Sequence, residues 1–347
     1  PLEGIQHKYR ETVLFFPAAG QNCHSYCTYC FRWAQFSRPD RFRFEAHETD
    51  SLVRYLRSHP EVSSVLITGG DPLVMSTENL RRYVEPLLDP SLDHIRSIRF
   101  GSKSLSYWPH RFVSDPDAGD LLRFFQEILA AGKHVALMAH VSHPRELEPA
   151  IVKEAVGRIR ETGCVSRSQA PLVRGVNDRE DTWVALWRSQ VQLGMVPYYM
   201  FVARDTGAQH YFKVPLAEAL DLFNHAFRRV SGLGRTARGP VMSATPGKVL
   251  VTGVSRIRGE DVFVLEFLQG RDPSWVGQPF FARFDPDAVW LDELEPAFGE
   301  PEFFFEERFR EIKAARSTSR GSRKAGPRPP VHPFRWRWNP AASVDKT

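Results

Sequence analysis

Three of the chain's four cysteines stand at Cys23, Cys27 and Cys30, a CxxxCxxC run with His24 inside it. Thiolates are soft ligands. Three at this spacing can cap three irons of a cubane cluster, and with no fourth cysteine nearby the fourth iron stays open to a small molecule. Two other chemistries use the same residues. A Cys3His zinc site would recruit His24, but its place next to Cys23 is poor for joint chelation, and structural zinc usually draws ligand pairs from two segments. Disulfides would leave one thiol of the three unpaired, with Cys164 far away in sequence. The triplet in its setting favours the cluster.

Those residues need a frame to hold them. Hydrophobic patterning predicts strands at 12–16, 65–68, 95–100, 134–141, 165–172 and 196–202. It predicts helices at 50–58, 77–88, 120–131, 148–162, 179–193 and 216–231, several of them stopped by Gly132, Gly163 or Gly194. Strand and helix in repeated alternation build a parallel sheet, because parallel neighbours need a crossover between them. The expected fold is α/β: an open, partial (β/α)6 TIM-like barrel over residues 1–255, a C-terminal extension or cap over 256–312, and a basic flexible tail over 313–347. Ligand-binding groups in such barrels gather at the C-terminal ends of the strands. The cysteine run follows the first strand, and Thr68-Gly69-Gly70-Asp71-Pro72-Leu73 follows the second, its glycines permitting close backbone approach to a ligand.

The formal net charge of +5 is unevenly spread. Lys313, Arg316, Arg320, Arg323, Lys324, Arg328, Arg335 and Arg337 lie in a stretch without acids, so the body before them is mildly acidic and no nucleic-acid partner is expected for it. Residues 317–330 are rich in Ser, Gly and Pro and bury too little apolar surface to offset their ordering entropy. Arg335-Trp336-Arg337-Trp338 has the composition to stack on bases or to dock on the barrel, and a solvated tail with no specific partner is the favoured reading. No apolar run approaches the roughly 18 residues of a membrane span, and nothing near the start resembles a signal peptide. The cytoplasm is the expected compartment. The chain opens on Pro1 rather than Met, which leaves room for a segment upstream.

Over residues 5–255 the chain resembles the lysine 2,3-aminomutase branch of the radical S-adenosylmethionine superfamily. The matching motifs, in order, are His7-Lys8-Tyr9, the cysteine run closing on Tyr29-Cys30-Phe31-Arg32, and Thr68 through Leu73. Then come Gly101-Ser102-Lys103, Pro109-His110-Arg111, the segment 140–144, Leu172-Val173-Arg174-Gly175-Val176-Asn177-Asp178, and Pro197-Tyr198-Tyr199. The resemblance implies a 4Fe-4S cluster on Cys23, Cys27 and Cys30. It implies S-adenosylmethionine on the open iron, cleaved by an electron from a donor such as flavodoxin or ferredoxin to a 5′-deoxyadenosyl radical. Gly69, Gly70, Asp71, His140 and Gln169 match positions around that cofactor. Pyridoxal phosphate would be carried on Lys248, Arg32 would grip the substrate carboxylate, and Asp205 would face a distant ammonium. The implied reaction is a radical 1,2-amino shift on a small amino-acid-like substrate, in a chain that forms homo-oligomers.

The departures from the family bear on the substrate. Its second ammonium-binding aspartate corresponds to Ala244, and its cofactor lysine follows a glycine run that is three residues shorter here, in Ala244-Thr245-Pro246-Gly247-Lys248. The zinc-binding cysteines of the clostridial-type enzymes are absent, and Cys164 reads as a small core residue. Two alternatives remain: a radical enzyme that abstracts hydrogen or rearranges another small molecule without pyridoxal phosphate, and a metal-stabilised nucleic-acid-binding module.

Overall fold

The computed structural model describes residues 3–32, 46–47, 49–204 and 209–321. The chain divides into two compact units, Pro1–Phe304 and Phe305–Thr347. The first holds an eleven-stranded sheet whose strand order follows the sequence. The six expected strands appear as β2 (Thr12–Phe15), β3 (Ser64–Ile67), β4 (Ser97–Ser102), β5 (His134–His140), β6 (Val165–Leu172) and β7 (Val196–Val202), all parallel. β8 (Arg238–Ser243) adds a seventh parallel strand. The edges are antiparallel: β1 (Ile5–Tyr9) on one side, and β9 (Gly247–Ile257), β10 (Glu260–Gly270) and β11 (Pro279–Arg283) on the other. Part of the region expected as a C-terminal extension or cap, β10 and β11, therefore continues the sheet.

The crossovers are α1 (Asp50–Arg57), α2 (Thr77–Val84), two short helices α3 (Ser104–Tyr107) and α4 (His110–Val113), then α5 (Ala118–Ala130), α6 (Ala150–Glu161), α7 (Glu180–Gln192), α8 (Gln209–Phe212) and α9 (Leu216–Arg228). In α5, Leu121, Phe124, Phe125 and Ile128 recur at helical spacing and are all buried, and the helix ends just before Gly132, whose φ of 77° suits glycine. α2 is shorter than the expected 77–88, because Pro86 cannot continue an α-helix and the chain tightens into a 3-10 turn at Glu85–Leu88. On β4, Ile98 and Phe100 face the helices, with Phe100 stacked on Phe125 at 5.4 Å, so alternation turns Arg99 and Gly101 to the inner face. The β9–β10 hairpin turns through Arg258 and Gly259, both at positive φ, which matches the strand twist.

The sheet curls without closing into a full barrel. Its β1 edge meets the far strands through side chains: Lys8 Nζ donates to Ser243 Oγ at 3.1 Å, and Arg271 Nη1 donates to the carbonyls of Lys8 at 2.8 Å and His7 at 3.3 Å. In the second unit α10 (Glu306–Gly321) runs past 313 into the basic stretch, with Glu306 and Glu307 in its first turn and an Arg308–Glu311 pair at 2.7 Å. Residues 322–347, including Arg335-Trp336-Arg337-Trp338, lie outside the described residues. Among the described residues no helix is long and apolar enough to cross a membrane.

Candidate active site

β2 delivers the chain to the C-terminal end of the sheet, where a 3-10 turn (Ala18–Gly20) leads into the cysteine run. Tyr26, at a positive φ of 40°, turns the loop, and Cys30 N donates to the Cys27 carbonyl at 2.9 Å. All three thiols are half-buried, and burial pushes the Cys27 thiol up to about 11. Both ring nitrogens of His24 and the hydroxyl of Ser25 are buried without a hydrogen-bond partner. The only three metal-ligating side chains within 4.8 Å of one another among the described residues are His7, His59 and Glu61. The cysteine sulfurs are therefore spread more widely than one tetrahedral ion would gather them, as suits ligands that cap separate irons. The histidine pair lies where strands begin, and its rings are already engaged: His7 with Tyr55 Oη at 2.7 Å and the Arg10 carbonyl at 2.9 Å, His59 with the Tyr55 carbonyl at 2.7 Å.

The glycine loop is the floor under the cysteine loop. Asp71 N donates to the Asn22 carbonyl at 2.9 Å. A Cβ on Gly69 would collide with Gln21, and one on Gly70 with the carbonyls of Gln21 and Asn22. The missing side chains thus serve an approach of backbone to backbone. Asp71 is buried, and its carboxylate accepts from Leu73 N at 3.0 Å, Ser102 Oγ at 2.9 Å and Lys103 N at 2.8 Å. Burial raises its pKa while these three donors oppose the shift. Its oxygens tie the loop after β3 to the end of β4. Arg111 secures the next turn from a fully buried position, donating to the carbonyls of Leu73 at 2.9 Å and Met75 at 3.1 Å and pairing with Asp117 at 2.7 Å.

Farther round, Tyr29 Oη lies 2.9 Å from Ser142 Oγ, which lies 3.1 Å from His140 Nε2. Burial, then the nearby Lys103 ammonium, hold His140 well below the usual imidazole range, so it is neutral at pH 7. Lys103 pairs with Glu146 at 2.8 Å and donates to the His140 carbonyl at 3.3 Å. Gln169 pairs directly with His140 across β5 and β6 and is half-buried. Asn177 Nδ2 donates to the Ser142 and Pro171 carbonyls, both at 3.0 Å. Asp205 lies outside the described residues.

The inner face carries cations. Lys248, the second residue of β9, is sheltered, its Nζ 4.4 Å from the Tyr199 ring and 5.8 Å from that of Tyr9. Burial, then the Arg99 and Arg238 charges, lower its pKa to about 7. Lys8 Nζ is 5.6 Å from the same Tyr9 ring, and its pKa falls to about 7 through burial and then the charges of Lys248, Arg204, Arg32 and Arg271. Arg32 sits over Phe16 at 4.7 Å and Phe31 at 5.2 Å, its backbone N 3.4 Å from Cys30 Sγ, and burial lowers its pKa to about 10. Cys30, Arg32, Lys8, Lys248 and Arg99 form one continuous electrostatic neighbourhood.

A protein of Aquifex aeolicus (strain VF5) provisionally named L-lysine 2,3-aminomutase is 32% identical over 292 residues, 84% of this chain and 74% of the relative. The chain belongs to the lysine 2,3-aminomutase family of radical S-adenosylmethionine enzymes. The L-lysine 2,3-aminomutase of Fusobacterium nucleatum is 25% identical over 232 residues, and there the chain spans about half the relative's length, 51%. A crystal structure of Streptococcus suis SuiB bound to S-adenosylmethionine aligns over 64% of this chain and 44% of that one, at 14% identity and a TM-score of 0.43. No family model matches. With the family established, the reading as a metal-stabilised binding module falls away.

The residues fit the family's cofactors. Three thiols on one loop beside the orphaned, buried His24 ring suit a cluster, and a half-buried lysine with a lowered pKa among aromatic rings and guanidinium groups suits a phosphorylated aldehyde. Sequence reasoning missed the supports. Arg111, Lys103 and Asn177 fall in motifs already recognised, but their partners come from distant segments. Lys8 was noted only as part of the His7-Lys8-Tyr9 motif and Arg99 went unremarked, because a lone basic residue in a short strand carries no mark of facing inward.

Proposed function

We propose that the protein catalyses a radical 1,2-amino shift on an amino-acid substrate with the help of pyridoxal phosphate. The observation that carries this reading is Lys248: an amine with a pKa of about 7, buried in the same inner space that Arg32 enters from the cysteine loop. Cys23, Cys27 and Cys30 would hold the 4Fe-4S cluster, and Lys248 Nζ would hold pyridoxal phosphate. When bound, these groups and S-adenosylmethionine supply hydrogen abstraction and a relay for the migrating nitrogen.

The chain's own work is to position and protect. Burial and the neighbouring Arg99 and Arg238 charges favour the unprotonated, nucleophilic form of the Lys248 amine without a separate base, where an ordinary lysine would be almost wholly charged at pH 7. Tyr9, Tyr199 and Phe201 wall it from water. Arg32 offers a planar fork for a carboxylate and stands next to Cys30, which would set the reacting carbon close to the source of the radical. His140, neutral and in line with Ser142 and Tyr29, can accept or donate a hydrogen bond at Nε2 without bringing charge near the thiolates. Gly69, Gly70 and Asp71 serve S-adenosylmethionine through the shape of the backbone they enforce, and Gln169 faces the same space from β6.

Anaerobic reconstitution tests this reading. Borohydride treatment of the holoenzyme should fix a pyridoxyl group on the peptide containing Lys248, and Lys248→Ala should lose the label while keeping its iron and sulfide. A wild-type protein with a full cluster that takes up no pyridoxal phosphate overturns the proposal and favours the cofactor-independent rearrangement. The short loop before Lys248 and the uncharged Ala244 are the features that would then explain it.

A further inference from the structure

At the end of the sheet where β2 and β3 begin, away from the cysteine loop, three side chains able to hold a metal come together. A ligand atom from each of His7, His59 and Glu61 lies within 4.8 Å of the other two, and all three residues are half-buried. His7 belongs to β1, whose register with β2 shifts between His7 and Tyr9, an irregularity of the kind that re-aims a side chain. His59 and Glu61 flank Pro60 in a turn closed by Val62 N, which donates to the His59 carbonyl at 3.0 Å. The fixed φ of Pro60 holds these two at one spacing. Ser63 N and Ser64 N donate to the Glu11 carbonyl at 3.1 and 3.0 Å, which ties the turn to the β1–β2 hairpin.

The hydrogen bonds around the two rings follow the pattern of metal ligands. A carbonyl oxygen only accepts, so His7 Nε2 donates to the Arg10 carbonyl at 2.9 Å and His59 Nδ1 to that of Tyr55 at 2.7 Å. A ligating histidine almost always spends its other ring N–H in this way, which fixes the tautomer and the orientation of the ring. The lone pairs left to the neutral rings are on His7 Nδ1 and His59 Nε2. The first accepts from Tyr55 Oη at 2.7 Å, whereas among the described residues no hydrogen bond or ion pair occupies the second or the Glu61 carboxylate. Packing holds the rings in place: His59 stacks on Tyr55 with centroids 3.8 Å apart, and His7 meets His59 edge-on at 5.6 Å.

We propose that His7, His59 and Glu61 bind one divalent cation of the zinc class, which fastens β1 to the turn before β3. Two imidazoles and a carboxylate suit zinc, whereas magnesium and calcium call for oxygen ligands. Tetrahedral coordination sets ligand atoms about 3.4 Å apart, and the flexible Glu61 side chain closes the difference. The cation takes over the lone pair that now accepts from Tyr55, and water fills the fourth position. Its work is structural. β1 is the edge strand that carries Lys8 and Tyr9, and Arg271 already holds it through the His7 and Lys8 carbonyls. A cation on the His7 ring clamps the same strand to its other neighbours. The site stands apart from the amino-shift reading and does not depend on it.

Untagged holoenzyme, with its cluster loaded so that the three thiols are occupied, is titrated anaerobically with zinc against a chromophoric chelator. Iron, sulfide and zinc are measured after desalting. The wild type should hold one zinc per chain beyond its cluster, a large excess of magnesium should not displace it, and zinc should raise the thermal midpoint by a few degrees. His59→Gln and Glu61→Gln lie outside the catalytic space and should keep full iron and sulfide, with native far-ultraviolet dichroism to show that they fold. Each should bind zinc at least about a hundredfold more weakly, since losing even an outer partner of a ligand can cost that much, and should lose the zinc-dependent rise in midpoint. A wild type that holds no zinc after desalting overturns the proposal. So does zinc that both variants retain, or that is lost only when Cys23, Cys27 and Cys30 are replaced, since the thiols would then be its ligands.

Discussion

At Lys248 the requirements of chemistry and stability oppose each other, and the conflict is measurable. The native pKa of about 7 compares with 10.5 for an ordinary lysine, the lowering coming first from burial and then from Arg99 and Arg238. Between these values the unfolded chain binds more protons than the native one, so this residue makes stability rise with pH across that window. Below about pH 7 the amine is charged in both states and the full penalty stands; above 10.5 it is neutral in both and the penalty vanishes. The shift corresponds to a ceiling of about 5 kcal/mol at pH 6.5, falling to about 1 kcal/mol at pH 9.5. Lys248→Met keeps the bulk and removes the amine. Cofactor-free protein under reducing, anaerobic conditions, unfolded by urea and followed by tryptophan fluorescence, should show the variant more stable than wild type at pH 6.5. Most of that advantage should be gone at pH 9.5. Lys8 adds to the effect with the same sign, because removing its charged neighbour eases its own penalty. An advantage independent of pH, or a variant less stable at pH 6.5, would refute the argument that Lys248 is held near neutrality by its surroundings.

Replacing any one of Cys23, Cys27 and Cys30 with Ala should abolish cluster iron and reductive cleavage of S-adenosylmethionine, whereas Cys164→Ala, in the core with its thiol pushed up to about 12 by burial, should leave both intact by iron assay and 5′-deoxyadenosine chromatography. Gly70→Ala should displace the cysteine loop and cut cluster occupancy severalfold while the far-ultraviolet dichroism stays native; full occupancy would mean the two loops can part without loss. Arg111→Leu leaves the Leu73 and Met75 carbonyls without their donor and takes the guanidinium from Asp117, which keeps Thr77 N and Oγ1, and should cost about 2 to 4 kcal/mol in urea unfolding; a loss below about 1 kcal/mol would show that the turn is held by other contacts. Arg32→Lys loses the bidentate fork and should weaken substrate binding more than it slows uncoupled cofactor cleavage; equal losses would make Arg32 a support of the cysteine loop.

The cysteine triplet, the alternation of six strands with helices, and the glycine loop one βα unit later were legible in the sequence because each is local. A metal-ligand spacing, a hydrophobic period and a turn all involve residues within a few positions of one another, and together they led to the family before any coordinate was needed. Five strands escaped, β1 and β8 to β11: in β1, β8 and β9 polar or basic residues interrupt the apolar run, as in Ile5–Tyr9 with its His and Lys, and β10 and β11 lie beyond the alternation of strands and helices, in the segment expected as an extension or cap.

Tertiary structure decided which residues act together, since a sequence does not state which distant groups share one dielectric environment. Gly69 and Gly70, read as room for a ligand, are the space in which one loop lies on another. Asp71, read as facing the cofactor, spends its oxygens on Leu73, Ser102 and Lys103. Lys248, which the resemblance alone marked as the cofactor lysine, has its pKa lowered because β9 folds it against Tyr199 and sets it beside Arg99, nearly 150 positions earlier. Local pattern determines which elements form and where a metal can bind. Only the curl of the sheet, which brings β1, β4, β6 and β9 round one interior, sets the charge of that interior, because Coulomb energy depends on separation in space and on exclusion of water, neither of which is ordered along the chain.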